Sequence, residues 1–165
     1  MPIIKLQTPI KANRNIVFDL SRSIDLQSKF VTGSNEKAVA GRTSGLIGID
    51  ETVTYRGKHL GVWQYLTSKV TDFNRPHFFA DEMKKGAFKS LRHEHYFIAT
   101  EEGTMMKDVF DFQSPLVFLG KLANTLFLKS YMTNFLKNRN KTIKEFAESG
   151  RWKELLPENN MEYNN

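Results

Sequence analysis

Two histidines, His93 and His95, stand two residues apart in the stretch KSLRHEHYFI, from Lys89 to Ile98. In an extended strand, residues two apart share a face. Leu91, His93, His95 and Phe97 therefore fall on one side, and Arg92, Glu94, Tyr96 and Ile98 on the other. The first set brackets two imidazoles with apolar side chains and is read as the inward one. The following stretch, TMMKDVFDF, puts Thr104, Met106, Asp108, Phe110 and Phe112 on a single face. A hairpin turn at Glu101-Glu102-Gly103 would bring Asp108 near the level of His95 or His93 on the adjacent strand. A carboxylate beside an imidazole in an apolar space is expected to raise the histidine pKa and fix its tautomer.

Three chemistries suit such a group. A metal needs three or four ligands. His93 and His95 supply two and Asp108 could supply a third, but His59 sits in a turn and His77 opens a different strand. No metal and no cofactor are expected on that count. Catalysis would use His93 or His95 as general base with Asp108 as its orienter; there is no Cys and no Ser in a recognisable nucleophile setting. The third chemistry, and the one favoured, is a self-satisfied polar group that orients a ligand in a mostly apolar pocket. Elsewhere, HFFADEM sets Phe79, Asp81 and Met83 on one face and Phe78, Ala80 and Glu82 on the other, and alternation does not choose between them. Trp63 and Tyr65 share a face on a long strand, where they could stack on a ligand or pack in the core. Arg139 falls in the apolar stripe of the last helix, its stem packing while its head reaches outward or pairs.

The elements that must hold these residues follow from changes of period. IIKLQTPI reads as a strand over Ile3 to Thr8, ended by Pro9. Two short helices follow, capped by Asn13 and Ser23. The period then becomes two. EKAVAGRT, ETVTYRGK, GVWQYLTSKVTDF, HFFADEM, KSLRHEHYFIAT and TMMKDVFDF read as six strands joined by turns, an antiparallel meander. At Ser114-Pro115 the helical period returns, with Leu119, Leu122, Leu126, Met132, Phe135, Arg139, Ile143 and Phe146 along one stripe and Gly150 as the stop. That span of about 30 residues would be ~45 Å long.

The chain has 165 residues, 40% hydrophobic and 25% charged, enough for a core. Thirteen Phe can wall a cavity as well as fill one. The absence of Cys excludes disulfides and fits a reducing compartment, and no signal peptide or membrane span is read, so a cytoplasmic location is expected. Eight basic and two acidic residues between Leu116 and Lys153 account for the whole formal charge of +6. This is read as a solvated helix face, with neither nucleic acid nor integral membrane contact expected. The division expected is one domain over 1–150 and a polar, disordered tail over 151–165, in a monomer or homodimer.

Strand, two helices, six strands and a long helix, together with GRTSGLIG, ETVTYRG, FFADEM-KKGAFKSLRHEHYF, GTMMKDVFDFQSPL and the LG-L before the last helix, resemble the helix-grip superfamily. This is the START, plant pollen-allergen and polyketide-cyclase group, often labelled SRPBCC. The likeness is to a branch of small single-domain bacterial members, some labelled cell-division inhibitors or cyclase-like, and covers Ile3 to Glu148. It implies an α+β helix-grip fold, a curved antiparallel sheet of about seven strands wrapped on a long C-terminal helix. It also implies an apolar cavity between sheet and helix for lipid- or polyketide-like molecules, with Phe79, His93, His95 and Asp108 matching the branch motif. It carries no catalytic signature. The function expected is binding of a hydrophobic small molecule by Phe79, Leu91, His93, His95, Phe97, Met106, Asp108, Phe110, Phe112, Trp63 and Tyr65, rather than catalysis. The alternative is a cyclase- or dehydratase-type enzyme that uses a His–Asp pair as general base.

Overall fold

The structure, a computed structural model, describes residues 2–30, 34–114, 125–157 and 161–163. The strands are β1 (Ile3–Ile10), β2 (Lys37–Gly41), β3 (Thr52–His59), β4 (Val62–Asn74), β5 (Phe78–Lys85), β6 (Ser90–Thr100) and β7 (Gly103–Gln113). The helices are α1 (Arg14–Ser21), α2 (Ile24–Gln27) and α3 (Thr125–Glu148). Asn13 and Ser23 cap α1 and α2 by accepting from the backbone N–H groups of Asn15 and Leu26. The seven strands form one antiparallel sheet in the order β1-β7-β6-β5-β4-β3-β2, so the meander closes when β1 adds beside β7. Of the expected helix start, Ser114 is described, whereas Pro115, Leu119 and Leu122 lie outside the described residues. Among the described residues no helix is long and apolar enough to cross a membrane.

Alternation sets the inner face. Thr104, Met106, Asp108, Phe110 and Phe112 are all buried, as are Leu91, His93, His95 and Phe97. β4 reverses the side on which its aromatics were sought. β3 pairs Tyr55 with Leu66 and Gly57 with Gln64, which turns the even-numbered residues of β4 inward at that level. Trp63 and Tyr65 are 49% and 57% exposed, and Arg56 stacks on the Trp63 ring at 4.8 Å. On α3, Leu136, Arg139, Ile143 and Phe146 are buried, whereas Leu126 is 74% exposed and leaves the expected stripe.

The C-terminal segment departs from the polar tail expected of it. Residues Arg151–Glu154 and Met161–Tyr163 form 3-10 turns, and Leu156 and Tyr163 are buried in the core beside α1 and α3. A buried carboxylate holds them. Asp19 on α1 receives Arg22 Nε at 2.7 Å, Arg75 Nη2 at 2.7 Å and the Tyr163 hydroxyl at 2.6 Å. Arg75 also pairs with Glu162. Burial pushes the Asp19 pKa up, but the bonds from Arg75 and Tyr163 and the Arg22 charge outweigh it and hold the group below its ordinary value.

Tyr163→Phe removes one bond to a buried charge and should cost about 1–3 kcal/mol in urea unfolding at pH 7. Because the Asp19 pKa is depressed in the folded state, its stabilisation is complete above its unfolded value, about 3.9, and is lost as pH falls through the folded one. The gap between wild type and Tyr163→Phe should therefore narrow in acid; a gap that stays constant to pH 3 would contradict this linkage.

Candidate functional site

Register brings the candidate residues together. His95 on β6 lies opposite Asp108 on β7, and Asp81 on β5 lies opposite His93. Phe79, Asp81 and Met83 are thereby the inward set of β5, and Phe79 stacks on the His95 ring with centroids 4.2 Å apart. The two imidazoles lie against each other at 3.8 Å.

Asp108 is the hub. Its Oδ1 is 3.0 Å from His93 Nε2, 3.2 Å from His95 Nδ1 and 3.4 Å from Arg139 Nη1. Asn140 Nδ2 donates to Oδ2 at 2.6 Å. Burial raises the Asp108 pKa, yet the two histidine bonds and the Arg139 charge hold it well below the usual carboxylate range. An ionised carboxylate only accepts, so His93 donates its Nε2–H and keeps a lone pair on Nδ1. The expected rise in histidine pKa is reversed for His93. Burial first and the neighbouring His95 second push it down to about 4, and Asp108 does not make up the difference. The far nitrogen of His95, Nε2, is 3.2 Å from Asp81 Oδ2.

A cavity of about 230 Å³ lies where three apolar clusters meet. Phe79 comes from the first, Leu91, Phe110 and Phe135 from the second, and Ile24, Val53 and Val70 from the third. Asp81, His93, His95 and Arg139 form its polar floor. Asp81 lines this space, and its side chain keeps 23% exposure. Of the residues singled out from sequence, Phe79, Leu91, His93, His95 and Phe110 line the cavity, and Tyr65 reaches its rim. Phe97, Met106 and Phe112 pack in the core instead; Phe97 meets Phe18 edge-on at 5.1 Å. Asp108 acts from behind the histidines, and Trp63 lies outside.

A second polar group went unnoticed in the sequence. At the end where Leu60 and Tyr65 reach the surface, His59 Nδ1 is 2.9 Å from the Tyr131 hydroxyl and His59 Nε2 is 3.0 Å from Glu36 Oε1. Gln27 donates to the other oxygen of Glu36 at 2.9 Å. The one local signal was Gly57: a Cβ there would stand 2.8 Å from Glu36 Cγ and 3.0 Å from His59 Nε2. Only a residue without a side chain lets these two groups cross.

Asp108→Ala would leave the Arg139 guanidinium without its carboxylate in a buried site. The expected loss is roughly 3–5 kcal/mol in urea unfolding at pH 7. Asp108→Asn, which keeps one acceptor oxygen, should lose less. Equal losses for the two variants would mean that charge, not hydrogen-bond geometry, dominates the hub.

No protein-family profile matches the chain, and no curated protein matches it significantly. Solved structures do. TTHA0849 from Thermus thermophilus is 13% identical, covers 90% of this chain and 99% of its own, and superposes with a TM-score of 0.73. Ara h 8.0201 is 12% identical over 90% of this chain and 98% of its own, with a TM-score of 0.65. Major latex-like protein 151 from Panax ginseng is 11% identical over 88% and 97%, with a TM-score of 0.64. Identities this low speak to fold alone. Together with the seven-stranded antiparallel sheet curved against a long C-terminal helix, they show that this chain has the helix-grip fold.

Proposed function

We propose that the protein binds a hydrophobic small molecule in the cavity between the sheet and α3, oriented by polar groups at its two ends. The observation that carries this reading is an internal space of about 230 Å³ with apolar walls and a hydrogen-bonded His/Asp/Arg floor. Such a space exceeds the ~150 Å³ that admits benzene and falls below the ~300 Å³ at which pockets for drug-sized molecules begin. A compact ring compound of the polyketide kind suits it better than an extended acyl chain. Asp81 and the two histidines would meet a polar group at the inner end. Glu36, His59 and Tyr131 would meet one near the surface.

A cyclase- or dehydratase-type reaction with His93 as general base finds less support. An imidazole pushed down to about 4 is a weak base at neutral pH, whereas a general base works best with a pKa near the working pH.

The test is thermal unfolding of delipidated protein against a panel of hydrophobic ring compounds. A ligand at one hundred times its dissociation constant adds about 2.7 kcal/mol, which for a chain of this length raises Tm by roughly 5–10 °C. Ser68 is buried and lines the cavity, so Ser68→Phe should abolish that rise while leaving the far-UV spectrum unchanged. A broad panel that moves Tm for neither protein overturns the proposal.

A further inference from the structure

Asp81 adds to the floor what the two histidines and Asp108 lack, a carboxylate that faces the cavity itself. One donor atom from each of Asp81, His93 and His95 lies within 4.8 Å of the other two. We propose that these three side chains form a binding site for a divalent first-row transition metal, zinc foremost, with a remaining coordination position open to the cavity.

Spacing is the first support. Ligand atoms around a tetrahedral zinc stand about 3.4 Å apart, given bond lengths of about 2.0–2.2 Å. His95 Nε2 and Asp81 Oδ2 are already 3.2 Å apart. No pair in the set stands more than 4.8 Å apart, so the set need close by at most about 1.4 Å to reach that edge. The ligands come from paired positions of adjacent central strands, β5 and β6, which makes the scaffold rigid.

The groups behind the site are the second support. Metal-bound histidines usually donate their other ring N–H to a carboxylate, which fixes tautomer and orientation. Asp108 Oδ1 sits 3.0 Å from His93 Nε2 and 3.2 Å from His95 Nδ1, behind both rings. This leaves His93 Nδ1 and His95 Nε2 as the donors. Arg139 Nη2 lies 3.5 Å from the same His95 Nδ1, and because a guanidinium only donates, it competes with Asp108 for that nitrogen; a metal on Nε2 would select the Nδ1–H tautomer that faces Asp108.

Charge and donor type agree. Two carboxylates, Asp81 and Asp108, adjoin the imidazoles, with Arg139 as the guanidinium in reach among the described residues. Two imidazole nitrogens with one carboxylate select a transition ion over magnesium or calcium. Three protein ligands with a position left over are the pattern of an open site, and here that position would take water or an oxygen of the cavity's occupant. The proposal needs no organic ligand and is tested without one, so it stands or fails independently of the binding reading above.

The experiment is zinc and cobalt(II) titration of chelator-stripped protein, read by native mass spectrometry, calorimetry and the visible cobalt spectrum. One metal per chain is expected, with an intense cobalt spectrum of low coordination number from nitrogen and oxygen ligands. Asp81→Asn and His93→Asn should each weaken zinc by at least about 100-fold, and Asp108→Asn, which only positions the rings, by about 10–100-fold. His77→Asn, a histidine outside the cavity lining, should bind as wild type does. Absence of a one-to-one complex overturns the proposal. So does zinc binding that survives in both ligand variants, which would be surface coordination. The wild-type cobalt spectrum reads the donor set without any substitution, so a variant that fails to fold leaves the idea exposed: weak, octahedral absorption overturns it as well.

Discussion

One buried carboxylate ties the sheet to its helix. Asp108 on β7 collects His93 and His95 from β6 and Arg139 and Asn140 from α3. An ionised group so deep is tolerable only when its lone pairs are filled, and here partners from two elements share the task. The same bonds fix how far α3 stands from the sheet and which way it is turned. A long, planar guanidinium spanning from helix to strand acts as a strut. Apolar side chains alone would tend to close the gap, whereas this polar connection has a set length. The empty space therefore lies directly beside the most polar part of the interior.

The rest of the cavity depends on apolar packing that stops short of filling it. Three clusters of buried residues, gathered from α1 and the end of α3, from β6–β7 with the middle of α3, and from α2 with β3–β4, meet around it without merging. Aromatic rings brace one another at the borders: Phe18 meets Phe73, Phe79 and Phe97 edge-on at 5.1–5.4 Å. Such mutually braced rings resist collapse better than flexible side chains would. At the other end, Glu36, His59 and Tyr131 link the segment before β2, β3 and α3 by hydrogen bonds rather than by packing. The two ends thus differ in kind, one anchored by a charged hub in the core and one by a chain of polar contacts near the surface.

Most of the fold was legible because long runs of period two and period 3.6 are written plainly in the chain. The seven strands, the capped short helices and the end of α3 near Gly150 all come from local pattern. What local pattern missed was decided by neighbours. Trp63 and Tyr65 look like pocket aromatics by type, but pairing with β3 turns Gln64 and Leu66 inward in their place. The segment after Arg151 reads as polar overall. Yet Leu156 and Tyr163 reach the core, and Asp19 offers the Tyr163 hydroxyl a buried acceptor from the far end of the chain.

The site divides in the same way. His93, His95 and Asp108 were accessible because two alternating strands joined by a tight turn have nearly determined register. Asp81 was not, because FFADEM alternates equally well on either face and contains no residue that could belong only inside. Register across β5 and β6 settles it: with Phe79 opposite His95, Asp81 must project beside His93. Arg139 was visible as an interruption of an apolar stripe, with its head left to reach outward or to pair. What local pattern does not give is that the inward Asp108, on a strand well before it in the chain, stands opposite Arg139. A cation in an apolar stripe thus carries different meanings according to whether the facing sheet holds an acid. Here it does, and that pairing leaves Asp81 free to face the cavity.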